Sequence, residues 1–279
     1  MIIVTGGTGF LGSALVKKLK KNNEVLILAK KKAHGVISGD ISDYKTVAKA
    51  VRGADCIIHL AALLDQFAPY EEHYRVTVKG TENVMKAAEK YGTKVVYMSS
   101  NAVLNKNKTN YSIAKAEAEK IAKSYWNRLT VPIIRASLIY DKSLIGKLRL
   151  VTYLPMPRKK QQIHPVYRQT VADALIGAMK HGRSKIYNVA DREPVLLTDL
   201  FTELAKPRPV LWVPPQVIWF GIGIAYPIEW AAKALRTKPI VTPAFIRSVF
   251  EQRRLDTREA VKELRYMPLD TLEMVRKLK

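Results

Sequence analysis

The chain has 279 residues, enough for one large α/β domain alone or with a smaller appendage. It is 48% hydrophobic and 25% charged, without repeats or low-complexity tracts, which excludes disordered, fibrous and solenoid proteins. Its net charge is +23, and residues 142–185 hold ten Lys or Arg and, counting Asp141 just before them, two acids. Such a charge suits a lysine-rich surface, an anionic ligand such as a dinucleotide or nucleotide sugar, or an anionic membrane surface. Nucleic acid is not an expected partner, because the cations form no stripe with interleaved aromatics and no helix-turn-helix or zinc spacing is present. The single cysteine, Cys56, lies in an apolar run, so no internal disulfide can form and a reducing cytoplasm is the expected compartment. The N-terminal apolar run is too short for a signal peptide.

Ile2-Ile3-Val4 reads as a short buried strand, followed by Thr5-Gly6-Gly7-Thr8-Gly9-Phe10-Leu11-Gly12 and an amphipathic helix from Ser13. Strand, glycine turn and helix bring backbone amides and a helix N-terminus to a phosphate. Gly6 would permit the turn, Gly9 the approach of a pyrophosphate, and Gly12 the close packing of the helix. The spacing is G-x-x-G-x-x-G rather than the general G-x-G-x-x-G, so an ordinary glycine turn is the competing reading.

A second strand, Glu24 to Ala29 in sequence, ends in Lys30-Lys31-Lys32. An acid there would hold the ribose 2′-hydroxyl of NAD, whereas cations accommodate the 2′-phosphate of NADP; Lys30 and Lys31 therefore favour NADP over NAD. A short strand near Val36 leads to Gly39-Asp40-Ile41 and a helix over 44–51 capped by Asp43 or Ser42. The next buried strand ends His59-Leu60-Ala61-Ala62, where small residues let a cofactor lie across it; His59 reads as a packed, satisfied histidine. The pattern predicts a helix over 78–91 ended by Gly92, then a strand, Val95-Val96-Tyr97-Met98-Ser99-Ser100, finishing in hydroxyls.

Tyr111 and Lys115 follow on one face of a helix predicted over 112–124. A phenol titrates near about 10, too high for a base at neutral pH. A lysine ammonium one turn away, with an oxidised nicotinamide, would favour the phenolate, while a serine hydroxyl at the nearby strand end can bind the substrate oxygen.

In these pieces the chain resembles the extended short-chain dehydrogenase/reductases, the NAD-dependent epimerase/dehydratase group. The match runs in family order through Thr5 to Gly12, Gly39-Asp40, His59-Leu60-Ala61-Ala62, Gly80-Thr81-Glu82-Asn83, Tyr97-Met98-Ser99-Ser100 and Tyr111-Ser112-Ile113-Ala114-Lys115. The resemblance implies a doubly wound Rossmann fold with a small C-terminal substrate-binding region. It implies Ser100, Tyr111 and Lys115 as the catalytic set. It also implies a dinucleotide held by Gly6, Thr8, Gly9, Phe10, Leu11 and Gly12, with Asp40 and Ile41 at the adenine and Leu60, Ala61 and Ala62 beside it. Ala136, Ser137 and Leu138 belong to a segment similar to the family's Arg-Pro…Tyr-Gly-Pro stretch, next to the nicotinamide, with both prolines and the glycine replaced. The family's usual Asn is Thr77 here, and the loop from Ser100 to Tyr111 is short.

Ile163-His164-Pro165-Val166-Tyr167 is similar to the family's return strand, nearest the hydroxysteroid-dehydrogenase branch and the branch of a respiratory complex I accessory subunit. A helix over 171–179 and a core strand at Ile186 to Val189 follow, with Thr198 as the N-cap of a further helix. Residues 210–228 carry no charge and reach the length of a membrane span. Pro214, Pro215, Gln216 and Pro227 argue against one, leaving a helix over 216–226 that would be buried or interfacial. Its Trp219, Phe220, Ile222 and Ile224, with Trp230 beyond, suit an apolar substrate pocket, a lipid-facing surface, or core or homodimer packing.

The expected organisation is a cofactor domain over 1–140, rejoined by 163–189, with substrate residues in 141–162 and 190–279. The expected function is reversible oxidation of a secondary alcohol on an apolar small molecule, in the cytoplasm, with possible peripheral attachment to a membrane. Two alternatives remain: a nucleotide-sugar epimerase or dehydratase with tightly bound NAD, Arg158-Lys159-Lys160 holding the diphosphate, and a non-catalytic NAD(P)-binding assembly protein. The intact Ser-Tyr-Lys set weighs against the last, and no metal site is expected.

Overall fold

The computed structural model describes all residues except 31–34, 159, 236, 238–241, 245, 246, 248–250, 252 and 253. Lys31, Lys32 and Lys159 therefore lie outside the described residues.

Six short apolar segments and one later strand build a seven-stranded sheet: β1 (Ile2–Thr5), β2 (Val25–Ala29), β3 (Val36–Ser38), β4 (Cys56–His59), β5 (Lys94–Ser100), β6 (Ile133–Ala136) and the strand Ile186–Val189. Every pairing is parallel, in the spatial order Ile186–Val189, β6, β5, β4, β1, β2, β3. The direction of chain progression reverses between β1 and β4, so a crevice opens at the carboxyl ends of the strands there. Continuous apolar runs such as Ile2-Ile3-Val4 and Cys56-Ile57-Ile58 follow from burial on both faces. One face packs α1 (Phe10–Leu19), the helix Arg168–His181 and the helix Arg258–Leu264. The other packs α2 (Tyr44–Val51), the helix Gly80–Tyr91 and the helix Asn110–Ser124. The fold is the expected doubly wound Rossmann sheet.

Asp43 caps α2, accepting from the amides of Lys45 and Thr46. The helix expected over 78–91 begins earlier. Tyr70–His73 leads through a π-helical turn, Tyr74–Lys79, into Gly80–Tyr91, and Gly92 ends it in the left-handed conformation. The wide turn breaks the 3.6-residue period, so apolar spacing signals only the later part. Thr109 starts the Asn110–Ser124 helix with a capping box to Ser112, two residues before the predicted start.

The expected return strand is split. Gln162–Ile163 pairs with Val195–Leu196, and Val166–Tyr167 pairs with Ile139–Tyr140. Pro165 supplies no amide for a continuous ladder, and buried His164 bonds the Asp191 carbonyl and the Leu255 amide instead. Thr198 is not an N-cap. It sits inside the helix Leu197–Ala205, whose N-cap is Leu196, and its hydroxyl turns to Asp199.

A second, smaller apolar cluster joins Tyr140, Ile145, Leu200, Phe201, Leu204 and Val275. Asp191 ties it to the sheet domain: its carboxylate accepts from the Tyr140 hydroxyl at 2.7 Å, Thr271 at 2.9 Å and the Tyr167 amide at 3.2 Å. Burial still raises its pKa to about 6. The apolar helix spans Val217–Ala234, longer than expected, because it continues through Pro227. The carbonyl that Pro227 deprives of a partner belongs to Gly223, which is exposed to solvent. No helix among the described residues is long and apolar enough to cross a membrane.

Candidate active site

A cleft of about 320 Å³ lies over the crevice between β1 and β4. Its walls come from strand ends: Gly6 after β1, Ala29 and Lys30 after β2, Leu60 to Ala62 after β4, and Met98 and Ser99 in β5. Thr8, Gly9, Phe10, Leu11 and Gly12 form one lip, Ile41 lies near the β2 side, and Tyr111 and Lys115 close the opposite end.

The glycine turn is shaped by contacts that no side chain could make. Gly6 has φ +69°, and a Cβ on it would meet the Ala61 amide nitrogen at 3.0 Å. A Cβ on Gly12 would collide with the Gly6 carbonyl oxygen and lie 2.7 Å from Gly7 Cα, so Gly12 packs the helix onto the turn itself. Gly9 N-caps α1 without any side-chain hydrogen bond, and beyond the Gly6 oxygen a Cβ there would face open space. Uncapped first-turn amides beside open space fit the phosphates of a dinucleotide. Arg168, which no local spacing singles out, brings a cation to this lip by stacking 4.9 Å from the Phe10 ring centre and pairing with Asp141 at 3.1 Å.

His59 is packed and satisfied, as expected. Thr81 spends its proton on the Thr77 carbonyl at 2.6 Å, so His59 Nε2 donates to Thr81 Oγ1 at 3.0 Å. Nδ1 then accepts from Thr5 Oγ1 at 2.7 Å, and that same oxygen accepts from the Ala61 amide at 3.2 Å. Burial pushes the imidazole pKa down to about 3, so it stays neutral and holds Ala61 at the cleft wall through Thr5. Thr77, at the position of the family's Asn, accepts from the Leu63 amide at 3.1 Å.

Lys30 Nζ lies 3.1 Å from the Asp40 carboxylate, which also pairs with Arg75 at 3.1 Å and accepts from the amide and hydroxyl of Ser42. Although partial burial opposes ionisation, these bonds hold the Asp40 pKa down at about 2. Gly39 and Ile41 line the cleft, whereas Asp40 turns to its cations.

At the other end, burial raises the Tyr111 phenol, while a hydrogen bond from Ser100 draws it back down. Lys115 is buried, its Nζ donates to the Met98 carbonyl at 2.7 Å, and burial lowers its pKa to about 8. Ser100 is half-buried at the end of β5, with its hydroxyl accepting from the Ala102 amide at 3.1 Å, and the neighbouring Ser99 lines the cleft. Ala136 is buried at the end of β6, Ser137 accepts from Asn101 at 3.1 Å, and Leu138 is exposed; the neighbouring Ile139 reaches the cleft instead.

Three residues outside the expected set support this end. Buried Glu119, one turn beyond Lys115, takes two bonds from Arg135, at 2.5 and 2.9 Å, and one from Ser99 at 2.7 Å. Ser99 and Arg135 stand opposite each other in the β5–β6 register.

Fold and cleft together define a Rossmann-type protein with a Tyr/Lys pair facing its glycine turn. The profile of the 3-beta hydroxysteroid dehydrogenase/isomerase family matches residues 3–130. The chain is 26% identical to 3beta-hydroxysteroid-dehydrogenase/decarboxylase isoform 2 of Arabidopsis thaliana, over 97% of this chain and 60% of that protein. It is 29% identical to the N-acetyl-alpha-D-glucosaminyl-diphospho-ditrans,octacis-undecaprenol 4-epimerase of Escherichia coli, over 53% of this chain and 51% of the relative. Its fold matches a short-chain dehydrogenase/reductase superfamily protein of Agrobacterium tumefaciens solved with bound NAD, with TM-score 0.78 and 17% identity, covering 99% of this chain and 95% of the other. In these matches the chain is similar to the extended short-chain dehydrogenase/reductases, with the family match confined to residues 3–130. It spans about half the length of the curated relatives it matches.

Proposed function

We propose that the chain is an NAD(P)-dependent oxidoreductase that interconverts a secondary alcohol and a ketone. The observation that carries this reading is the Tyr111 phenol on the cleft wall, drawn down by Ser100 and one helical turn from Lys115, in the same cleft that the glycine turn and its uncapped helix N-terminus line. A nicotinamide dinucleotide bound in the cleft supplies or accepts the hydride. In reduction, Tyr111 gives its hydroxyl proton to the carbonyl oxygen as that oxygen becomes an alcohol. In oxidation the phenolate takes the proton back. Ser100 orients the reacting oxygen and stabilises the phenolate, and Lys115 adds positive charge at the cleft floor. Gly6 to Gly12 hold the dinucleotide phosphates, and Lys30 selects NADP by meeting the 2′-phosphate. Residues 141–162 and 190–279 form the substrate side, where the apolar helix Val217–Ala234 suits an apolar substrate.

The second reading, a nucleotide-sugar epimerase or dehydratase, is favoured by the epimerase among the relatives. Cofactor exchange separates the two. Under the oxidoreductase reading, purified protein exchanges added NADPH freely and consumes it with a panel of ketones. A tightly held dinucleotide that external NADPH does not displace, with turnover of a nucleotide sugar and no net redox change, would replace that reading with the second.

A further inference from the structure

We propose that the outer face of the Val217–Ala234 helix, with the neighbouring segments 150–154 and 208–213, docks on an anionic lipid bilayer. The helix is fastened to the body through a narrow stripe, Ile222, Ala225 and Ala232, all buried. Its largest apolar residues face out: Trp219 is 68% exposed, Phe220 71% and Trp230 74%. Apolar side chains of this size on the free side of a helix gain nothing in water.

The patch continues beyond the helix. Met156–Pro157 pairs with Trp212–Val213, placing the segment after Leu154 beside the one after Leu211, and both leucines are exposed. The Arg208 guanidinium lies 3.4 Å from the centre of the exposed Tyr153 ring, joining the two segments at a second point. Tryptophan and tyrosine at such a rim match the composition of membrane–water interfaces.

Charge selects the occupant. Residues 142–160 and 206–234 together contain nine Lys or Arg and a single acid, Glu229. Lys147, Arg149, Arg158 and Lys160 are exposed there. A second copy would bring two strongly cationic collars together, whereas phosphate headgroups meet that collar with opposite charge. Because no described helix can cross a bilayer, the geometry is that of a helix lying in the interface.

The test uses the purified full chain at physiological salt, with vesicles of phosphatidylcholine alone and of phosphatidylcholine mixed equally with phosphatidylglycerol. A chain of this charge could adsorb to anionic vesicles nonspecifically, so depth must be read too, by quenching of tryptophan fluorescence with brominated acyl chains. The expected result is sedimentation with the anionic vesicles, with quenching. Trp219→Ser/Phe220→Ser/Trp230→Ser should weaken partitioning by about tenfold or more, and Arg149→Gln/Arg158→Gln by roughly fivefold per charge. Sedimentation without quenching, equal binding by the triple variant, or no binding by the wild type would overturn the proposal. So would a wild-type dimer that the triple variant dissociates. The quenching of the wild-type protein needs no variant, so a misfolded variant leaves the test intact.

Discussion

Lys115 Nζ donates a 2.7 Å hydrogen bond to the carbonyl oxygen of Met98, in the strand that forms the cleft floor. The buried ammonium is thus held by a backbone dipole, and burial lowers its pKa from 10.5 to about 8, with Glu119 pulling the other way. Below pH 8 the folded state bears the full cost of this buried charge. Between about pH 8 and 10.5 the folded protein releases the proton while the unfolded chain keeps it, so stability rises with pH in that window.

Lys115→Met should therefore stabilise the fold at pH 7 while impairing catalysis. The lowered pKa is worth on the order of 3 kcal/mol, and leaving the Met98 carbonyl without its donor costs about 1–3 kcal/mol. The expected net gain is about 1 kcal/mol, read by urea denaturation, and it should shrink above pH 8. A variant less stable than the wild type at pH 7, or a difference that grows with pH, contradicts this account of the lysine.

Lys30 lies 3.1 Å from the Asp40 carboxylate and is the cation proposed to meet a 2′-phosphate. Lys30→Ala should lower affinity for NADPH by roughly tenfold and leave NADH within about twofold, as expected for loss of one charge-assisted contact. Fluorescence titration of both dinucleotides measures this. Equal loss for both would remove Lys30 from cofactor selection.

Gly12→Ala adds one carbon where the Gly6 oxygen and Gly7 backbone already stand. The glycine turn must open to accept it. The variant should keep its far-ultraviolet circular dichroism, since the sheet core is untouched, and lose dinucleotide affinity by about a hundredfold, comparable to a misplacement of binding groups by an ångström. Unchanged affinity would show that the turn is not the phosphate cradle.

The parts of the site that depend on short local spacing were legible in the sequence: the glycine turn, the small residues after His59, and the Tyr111–Lys115 pair. What was hidden depends on register and burial. Ser99, Glu119 and Arg135 converge only because β5 and β6 align, and no periodicity links positions so far apart. The bond from Lys115 to the Met98 carbonyl and the pull of Ser100 on the Tyr111 phenol likewise depend on how β5 meets the helix, which local spacing does not carry. In the fold, the π-helical turn concealed the start of the helix before Gly80, and Pro227 suggested a helix end where an exposed Gly223 lets the helix continue.

In the proposed reaction the Tyr111 hydroxyl moves the proton. Tyr111→Phe keeps the ring and removes one oxygen at a cleft wall otherwise unchanged. With a ketone the wild type reduces, kcat should fall by about 10²- to 10⁴-fold while NADPH binds within about threefold of the wild type, because the phosphate cradle lies at the opposite end of the cleft. Wild-type turnover by Tyr111→Phe on that substrate would contradict the account.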